Sequence, residues 1–595
     1  MTRRLAASTR CALLALTLIA CLVVPGLAHA NSQVEFGIEQ EGGMPDPARR
    51  PSLLDAEASL GVKLKRYIFH YNEIATCDPR SAAGKGVSPS SYTNPCYAWG
   101  VPDAVVVGAQ IRGMRVLGTT WGTPPWMFND APKFTGTTDA QYSAFLAVYS
   151  DFVQAAATRY DGKHGLPRVN QWTVWNEPNG SFFEPRFDAN KKPIGPARYA
   201  RMYDIASRRI KAVDSTLVVA VGPTAPHARS FPPVTYIKQL LPFLQAAGSP
   251  IDAWAHNAYI GGQNPYSTTM QPPYVGLGNL QDITGMLDRY PVTRDKPIWV
   301  TEFGYQTGGI QKVVTQPEQA FLTNVAMMYA WQHARISTFI WYSLLDDKDT
   351  GDLASFQTGL YMNETTGCGG TGSRICEKAA ANSYRRPLVI SKVSGGMATI
   401  WAMSQIDAAT AKVYIQRPGE GWRTFRSADT STTGVIYERV AMPVGTQVQV
   451  CDTRCSAIQT VAAGNDPTAP ASGIITQGGG TSGTSAIIRQ RAITLRKSSS
   501  LRGGIGFDHI CSTCTVGSII YARGAASGIP GARTRTIVVA RAKVTTRGST
   551  RHLTLRFTKS ARTALSKAKR PRLVIRTVVI QGGRRTTYDR PVTLV

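Results

Sequence analysis

The sequence predicts an α/β protein whose largest part is a (β/α)8 TIM barrel. Eight short apolar runs alternate with longer amphipathic segments between residues 34 and 387, a pattern typical of repeated βα units. Two of these runs lead into glutamates, Glu177 and Glu302, where a buried parallel strand would emerge at the catalytic face of a barrel. Their separation, 302 − 177 = 125 residues, fits three βα units of roughly 30 to 50 residues each. We therefore expect them at the ends of strands 4 and 7.

The individual elements follow from local composition. The predicted strands are Val34–Ile38, Leu64–Phe69, Arg115–Thr119, Gln171–Trp175, Leu217–Val221, Ile251–Ala255, Pro297–Thr301 and Ser337–Trp341. The predicted helices include Tyr142–Arg159, Ala197–Val213 and Glu318–His333, and Pro317 suits the first turn of the last one. An open doubly wound sheet is the alternative fold. It would place a glycine-rich phosphate loop after the first strand, and Glu39-Gln40-Glu41-Gly42-Gly43 is a poor match.

Three further regions follow the barrel, which is assigned to residues 31–387. Residues 388–463 predict a small antiparallel β-domain, because β-branched runs at Lys412–Gln416, Gly434–Arg439 and Gln447–Cys451 are separated by turn residues. Residues 464–485 have the glycine, serine and threonine content of a flexible linker. Residues 486–595 predict a basic β-sandwich-like module, since apolar and cationic residues alternate at Thr536–Ala540, His552–Phe557, Leu573–Val579 and Pro591–Val595.

The positive charge is concentrated in that last module. The chain carries 66 Lys and Arg against 38 Asp and Glu, a net charge of +28, and residues 486–595 supply 23 − 2 = +21 of it. A cationic sheet face could contact an anionic cell-surface polymer, or it could be a solvated spacer. Nucleic acid is not expected as a partner, because no recognition signature is present and aromatic residues are sparse there.

The N-terminus predicts export from the cell. Residues 1–30 are typical of a signal peptide, with three arginines, an apolar stretch and the cleavage site Ala28-His29-Ala30. Leu18-Ile19-Ala20-Cys21 also fits a bacterial lipoprotein box, so lipid anchoring at Cys21 is the alternative to a secreted product, although the residues after Cys21 stay apolar. No later stretch approaches the ~20 apolar residues that a membrane span needs.

The eight cysteines beyond the signal peptide pair by proximity in the sequence. The expected disulfides are Cys77–Cys96, Cys368–Cys376, Cys451–Cys455 and Cys511–Cys514. An even number of cysteines that lie close together in pairs along an exported chain is typical of short disulfide loops. Cys511 and Cys514 could instead form half of a redox or metal site, but no second such pair completes it.

Two carboxyl groups that meet over one cavity are sufficient to cleave a glycosidic bond. One carboxyl group donates a proton to the leaving oxygen, and the other acts as a nucleophile or as a base for water. Taken singly, a glutamate before proline can be an extended surface residue, and a glutamate at a strand end can be an ion-pair partner. Glu177 and Glu302 together, each preceded by a tryptophan-containing strand at this spacing, predict a catalytic pair.

A family resemblance gives these two residues separate roles. The stretch Trp172-Thr-Val-Trp-Asn176-Glu177-Pro178-Asn179, with Trp299-Val-Thr-Glu302-Phe-Gly304, resembles glycoside hydrolases of clan A, families 5 and 39 in particular. The resemblance covers about residues 34–387. It implies a retaining glycosidase in which Glu177 is the acid/base and Glu302 the nucleophile.

The same resemblance implies substrate-binding roles at other strand ends. These candidates are Arg66 beside the nucleophile, Asn176 at the sugar 2-hydroxyl, Tyr259 and His256 after strand 6, and the aromatic residues Trp126 and Trp341. Rim packing is the alternative for both tryptophans, a structural ion pair is the alternative for Arg66, and a fully hydrogen-bonded structural residue is the alternative for His256. Asn257 stands where the family usually has histidine, which leaves open whether His256 or Asn257 faces the substrate. Glu39, His70 and Asp346 also lie near strand ends and are given no role.

The sequence as a whole predicts a secreted retaining glycoside hydrolase that acts on a β-linked or arabinose-type polysaccharide or oligosaccharide. A non-catalytic carbohydrate- or surface-binding protein on the same barrel is the alternative, but it predicts the loss of a glutamate, and both are present. Metal-dependent hydrolysis would need clustered ligands, whereas the 8 histidines are scattered. We therefore expect no metal and no cofactor. We expect a monomer.

Overall fold

The computed structural model describes the chain as two compact units that divide after Ile474. In the first unit the described residues are 34–228, 231–309, 313–348, 350, 355–363, 375–393, 397–406, 411–427 and 435–461. In the second they are separate stretches between residues 487 and 594. The expected signal peptide and linker lie outside the described residues.

Eight parallel strands close into a barrel in chain order, which confirms the predicted fold class. They are β1 (Glu35–Glu39), β2 (Leu64–His70), β3 (Arg115–Trp121), β4 (Gln171–Val174), β5 (Val218–Thr224), β6 (Ala253–Asn257), β7 (Ile298–Phe303) and β8 (Ile336–Tyr342). Each lies within three residues of its prediction. The interior is filled by apolar side chains such as Leu64, Leu117, Trp299 and Ile340, so this is a packed core and not a pore.

Helices cover the outside of the barrel and pack against the strands through one large apolar core. They are α1 (Arg50–Ser59), α2 (Tyr71–Ile74), α3 (Gly100–Gln110), α4 (Asp139–Arg159), α5 (Gly195–Val213), α6 (Pro233–Ala247), α7 (Gln281–Leu287), α8 (Gln316–Gln332) and α9 (Ala379–Arg385). Helix α8 begins as its sequence predicts. Thr315 and Glu318 form a capping box that satisfies the first backbone N–H groups, and Pro317 lies in the first turn.

A small antiparallel β-domain follows the barrel within the same unit. Two short strands, β9 (Tyr361–Met362) and β10 (Cys376–Glu377), precede it. Its strands are β11 (Leu388–Val393), β12 (Met397–Met403), β13 (Lys412–Gln416), β14 (Arg423–Ser427), β15 (Val435–Ala441), β16 (Gln447–Cys451) and β17 (Gln459–Thr460). They form sheets of three and four strands, whose apolar faces share one core containing Ile400 and Val448.

The β-domain is joined to the barrel by buried contacts. Trp401 packs against Trp331 of α8 with ring centroids 6.2 Å apart. Arg386, just after α9, makes an ion pair of 2.6 Å with Asp452, and both side chains are almost completely buried. Asp452 also accepts a hydrogen bond of 2.6 Å from Ser404. The buried Asp452 carboxylate therefore accepts hydrogen bonds from both Arg386 and Ser404.

The second unit is also built mainly of β-strands, as the alternation predicts. They are β18 (Ile487–Arg489), β19 (Ile493–Leu495), β20 (Ile505–His509), β21 (Cys514–Ala522), β22 (Ile537–Thr546), β23 (Arg551–Leu555), β24 (Arg572–Gln581) and β25 (Arg584–Leu594). Six form one sheet, and β20 pairs with β23. Helix α10 (Lys559–Lys567) begins at Thr558, which caps it through the Ala561 N–H.

Two of the expected disulfides lie among the described residues. Cys77 bonds to Cys96, and Cys451 bonds to Cys455. The expected partners Cys368 and Cys511 lie outside the described residues. Among the helices that are described, none has the length and apolar character required to span a bilayer.

The Arg386–Asp452 pair gives a test of how the β-domain is attached. Asp452→Ala would leave a buried guanidinium without its anion, so we expect the free energy of unfolding to fall by about 3 kcal/mol or more. Urea denaturation of the wild type and variant measures this. The control is Glu438→Ala, which removes an exposed pair with Arg426 and should cost under about 1 kcal/mol. Equal effects of the two variants would contradict a buried, supporting role for Asp452.

Candidate active site

The C-terminal ends of the barrel strands surround a cavity of about 790 Å³. Both glutamates singled out in the sequence, Glu177 and Glu302, line this cavity, as do Asn176 and Tyr259. Glu177 follows β4 and Glu302 is part of β7, so three βα units separate them, as the spacing predicts. The barrel thus brings both acidic side chains to the end where barrel enzymes carry their chemistry.

Arg66 of β2 is the centre of the polar network beneath the cavity. Its side chain is completely buried, and its guanidinium donates from three nitrogens to residues on four other strands or strand ends. The bonds run from Nη1 to Glu302 (2.7 Å) and to Glu39, from Nη2 to Asn176 (3.0 Å), and from Nε to Thr119 (3.1 Å). A rigid planar donor of this kind fixes the positions of all its partners.

Glu302 receives hydrogen bonds on both carboxylate oxygens. Arg66 donates to Oε1, and the Tyr259 hydroxyl donates to Oε2 over 3.1 Å. Burial raises the pKa of Tyr259 well above its ordinary value, and the negative charge of Glu302 raises it further, so the hydroxyl keeps its proton. A cation and a hydroxyl donor both favour the ionised form of Glu302.

Glu177 lies in an irregular backbone that sequence reasoning did not detect. Trp175 and Glu177 have φ angles of 68° and 48°, in the left-handed region that residues other than glycine rarely adopt. Backbone hydrogen bonds hold this turn: Trp175 donates to Thr120 over 2.8 Å and Glu177 donates to Pro223 over 2.9 Å. The strained turn directs the Glu177 side chain into the cavity. Such strain persists only where the surrounding structure enforces it.

The environment of Glu177 differs from that of Glu302. Burial raises the pKa of Glu177 to about 7, and the nearby charge of Glu302 adds to the increase. Asn257 donates from Nδ2 to Glu177 over 2.8 Å, while Thr301 fixes the Asn257 amide by donating to its Oδ1 over 2.9 Å. Two carboxyl groups in one cavity therefore have different protonation preferences. Separation of this kind typically identifies an acid and its ionised partner.

His256 and Asn257 have different hydrogen-bond partners, and neither residue lines the cavity. His256 is completely buried, with Nδ1 2.8 Å from the Thr224 hydroxyl and Nε2 3.0 Å from the Val275 carbonyl. Burial lowers its pKa to about 4, which keeps the ring neutral. A shift in strand register between His256 and Asn257 turns the second residue towards Glu177. His256 is therefore a buried, hydrogen-bonded residue that does not line the cavity, which agrees with the structural alternative given for it.

Neither of the two predicted tryptophans lines the cavity. Trp341 is completely buried and donates to the Thr358 carbonyl over 3.0 Å. Trp126 packs at the rim and donates to the Ala75 carbonyl over 2.9 Å. Besides Tyr259, the aromatic side chains that line the cavity are Trp121, Phe182, Tyr342 and Phe356. Strand β8 continues one residue past its predicted end, and adjacent strand residues face opposite sides, so Tyr342 lines the cavity while Trp341 is buried.

Further polar residues that had no assigned role also meet at the cavity. Glu39 is almost fully buried, and Glu41 lies 3.1 Å from the ring of His70. Asp346, in contrast, makes a buried ion pair of 2.6 Å with Lys378 and does not line the cavity. Among the described residues, no group of three or more His, Cys, Asp or Glu side chains is arranged to hold a metal ion.

Residues 133–346 match the protein family described as Glycosyl hydrolases family 39. The matched segment contains both Glu177 and Glu302, whereas Arg66 precedes it. The chain is therefore a glycoside hydrolase with a family 39-like TIM barrel, as the resemblance of its motifs implies. No curated protein matches the chain.

Solved structures with a similar fold include several glycosidases. One is a family 39 glycoside hydrolase from the gut symbiont Bacteroides cellulosilyticus WH2, with a TM-score of 0.45 and 13% identity over 71% of this chain and 82% of that chain. Another is a glucosidase from Croceicoccus marinus, with a TM-score of 0.41 and 14% identity over 89% and 96%. A third is an α-L-arabinofuranosidase from Thermotoga maritima, with a TM-score of 0.39 and 12% identity over 73% and 95%.

The raised pKa of Glu177 predicts a pH-dependent stability. Because the folded-state pKa of about 7 lies above the reference value of 4.5, the neutral carboxyl group is favoured on folding. This contribution is complete below about pH 4.5 and is lost as the pH rises through about 7. We therefore expect Glu177→Gln to raise the free energy of unfolding relative to wild type more at pH 8 than at pH 5, by at most about 3 kcal/mol.

Urea denaturation of both proteins at pH 5 and pH 8 measures this difference. Glu438→Gln, at an exposed position of the β-domain, is the matched control and should show the same small effect at both pH values within about 0.5 kcal/mol. A Glu177→Gln effect that is independent of pH would contradict a buried, protonated Glu177.

Proposed function

We propose that this family 39-like glycoside hydrolase is a secreted retaining enzyme that cleaves O-glycosidic bonds of a polysaccharide or oligosaccharide by double displacement. Glu302 is the nucleophile and Glu177 the acid/base. The proposal depends on one observation above all: two carboxyl groups line one cavity, and one is paired with a cation while the other has a pKa of about 7. This is the division of roles that glycoside hydrolysis by two carboxyl groups requires, and retention is what the motif resemblance implies.

In the first step the Glu302 carboxylate attacks the anomeric carbon. The bond between that carbon and the leaving oxygen breaks, and Glu177 donates its proton to the leaving oxygen. The product is a glycosyl ester on Glu302. Arg66 and Tyr259 support this step by holding Glu302 ionised and oriented before attack.

In the second step Glu177, now a carboxylate, accepts a proton from water. The water oxygen attacks the anomeric carbon, the ester bond breaks, and Glu302 is released as a carboxylate while Glu177 regains its proton. Two successive displacements at one carbon give retention of configuration. Asn257 can stay hydrogen-bonded to Glu177 in both its protonated and its ionised state, since the Asn257 Nδ2–H can donate to either form of the carboxyl group.

The remaining cavity residues suit a sugar ligand. Asn176 is fixed by Arg66, and we assign it to the 2-hydroxyl of the reacting sugar, as the motif resemblance implies. Trp121 and Phe182 form one aromatic wall, with ring centroids 6.1 Å apart, and Tyr342 and Phe356 form another, at 5.3 Å. Aromatic faces beside a few polar groups are typical of small-molecule sites that combine apolar contact with orientation.

Secretion and the role of the basic module belong to the same proposal. The disulfides Cys77–Cys96 and Cys451–Cys455 are compatible with an extracellular protein, and the first residues have the pattern of a signal peptide. We assign the cationic module to electrostatic contact with an anionic cell-surface polymer, which would keep the enzyme near its substrate.

Leaving-group dependence tests the assignment of Glu177. Glu177→Ala removes the proton donor, so cleavage of alkyl glycosides should fall by about 10²- to 10⁴-fold, while aryl glycosides with acidic phenols should lose much less. Steady-state kcat/KM over a panel of aryl and alkyl glycosides measures this. Asp346→Asn, outside the cavity, serves as a control without leaving-group selectivity. An equal loss on both substrate types would contradict an acid role for Glu177.

The stereochemistry of azide rescue tests the assignment of Glu302. Glu302→Gly should be inactive in water, and added azide should restore cleavage of activated aryl glycosides by entering the space left by the carboxylate. The expected glycosyl azide has the anomeric configuration opposite to that of the substrate. With Glu177→Ala, azide should attack the ester and give the same configuration as the substrate. NMR of the products distinguishes the two, and a reversed pattern would exchange the roles of Glu177 and Glu302.

A further inference from the structure

Glu39, a third carboxyl group, shares the cation that pairs with Glu302. Glu39 is the last residue of β1, and its backbone lies between Arg66 on one neighbouring strand and Tyr342 on the other. Its side chain is almost completely buried and accepts a hydrogen bond from Nη1 of Arg66. The same nitrogen donates to Glu302 over 2.7 Å. The two carboxyl groups are therefore linked through one atom.

One positive charge cannot neutralise three carboxylates in this cluster. Among the described residues, Arg66 is the cation in hydrogen-bond contact with Glu39 and Glu302, and Glu177 lies close enough for its charge to interact with both Arg66 and Glu302. Uncompensated charge is costly when it is buried, so the surplus carboxyl groups bind protons. The negative charge is best stabilised on Glu302, because this carboxylate accepts hydrogen bonds from both Arg66 and Tyr259.

Burial and the negatively charged neighbours of Glu39 favour its protonated form. Burial raises its pKa well above the ordinary value, Arg66 opposes this, and the charges of Glu302 and Glu41 add to the rise. The hydroxyl groups of Tyr342, on the adjoining strand β8, and of Tyr259, after β6, also interact with its charge, and both remain protonated because burial raises their pKa. Glu39 is thus a neutral acid as long as Glu302 carries the negative charge.

We propose that Glu39 is a positioning residue that exchanges charge with Glu302 through Arg66: it is protonated while Glu302 is a carboxylate, and it ionises when Glu302 becomes neutral. In the reaction this occurs when the glycosyl ester forms, an extension that depends on the proposed function. The Glu39 proton then passes to cavity water and to solvent. It returns when hydrolysis of the ester restores the Glu302 carboxylate, so the protons balance over one turnover.

The physical benefit is that Arg66 never lacks a partner. Esterification of Glu302 would otherwise leave the fully buried Arg66 guanidinium hydrogen-bonded to neutral groups only, because the Glu177 carboxylate of that state is not one of its hydrogen-bond partners. Ionised Glu39 replaces the lost charge at the same nitrogen, so Arg66 keeps its orientation towards Asn176 and Thr119. The two carboxyl groups bonded to Nη1 of Arg66, Glu39 and Glu302, together retain one negative charge in both halves of the reaction.

The test needs no substrate, because Glu302→Gln imitates the neutral ester. Four proteins are compared in a Glu177→Gln background, which removes the other carboxyl group that could take up the charge: the background itself, the background with E39Q, with E302Q, and with both. Net charge is measured at pH 7 by capillary electrophoresis against charge ladders. We expect the first three to have equal net charge and the E39Q/E302Q combination to be more positive by about one unit.

Each other pattern overturns the proposal. An increase of about one unit in both E39Q and E302Q means that Glu39 is always ionised, and an increase in E302Q but not in E39Q means that Glu39 never ionises. No increase in the combination means that another group takes up the charge. Since no catalysis is measured, a failure here leaves the assignment of Glu177 and Glu302 as acid/base and nucleophile to its own kinetic tests.

Infrared spectroscopy provides a second measurement that leaves Glu39 intact. The difference spectrum of E177Q/E302Q minus E177Q should lose the absorption of one protonated carboxyl group, because Glu39 ionises in the former. An unchanged protonated-carboxyl region would contradict the exchange. Circular dichroism confirms that each variant is folded before either measurement is interpreted.

Discussion

The hydrogen bonds of Arg66 are the constraint on which the rest of the site depends. A guanidinium that is completely buried inside a barrel is stable only if anions and acceptors surround it. Strands β1, β3 and β7 and the segment after β4 each contribute one. The same bonds hold Glu302 at the cavity and fix Asn176, the residue before Glu177. Placing the cation correctly therefore also positions most of the catalytic groups. The barrel fold supplies this convergence, since its strands end on one face.

The two glutamates acquire different properties from different surroundings, although their side chains are chemically identical. Glu302 accepts from a guanidinium and a phenol, which favours the carboxylate. Glu177 accepts from an uncharged amide and stands near a like charge, which favours the protonated acid. The left-handed backbone at Trp175 and Glu177 places the acid in this environment, although that backbone conformation is itself strained. Function here depends on the environment of each group more than on its identity.

Much of this architecture could be predicted from the sequence, and the exceptions have physical causes. The strands, their order and the glutamate pair follow from hydrophobic periodicity and spacing, which are properties of the chain itself. Which of His256 and Asn257 reaches Glu177 could not be predicted, because it depends on a register shift of β6 against β7 that turns Asn257 towards Glu177. Trp341 is buried because adjacent residues of β8 face opposite sides and Tyr342 is the one that lines the cavity. Trp126 lies beyond the end of β3, where strand alternation does not determine which way a side chain faces. The role of Glu39 could not be predicted, because it depends on a contact with Arg66 across strands.

The most direct test of this account is the identity of the residue that becomes covalently glycosylated. The fluorogenic aryl glycoside that the enzyme cleaves fastest is prepared as its 2-deoxy-2-fluoro derivative, which slows ester hydrolysis and allows the intermediate to accumulate. Proteolysis and tandem mass spectrometry then locate the sugar. The account predicts one sugar per chain, attached to Glu302. A label on Glu177 or Glu39, or inactivation without a covalent adduct, would contradict it.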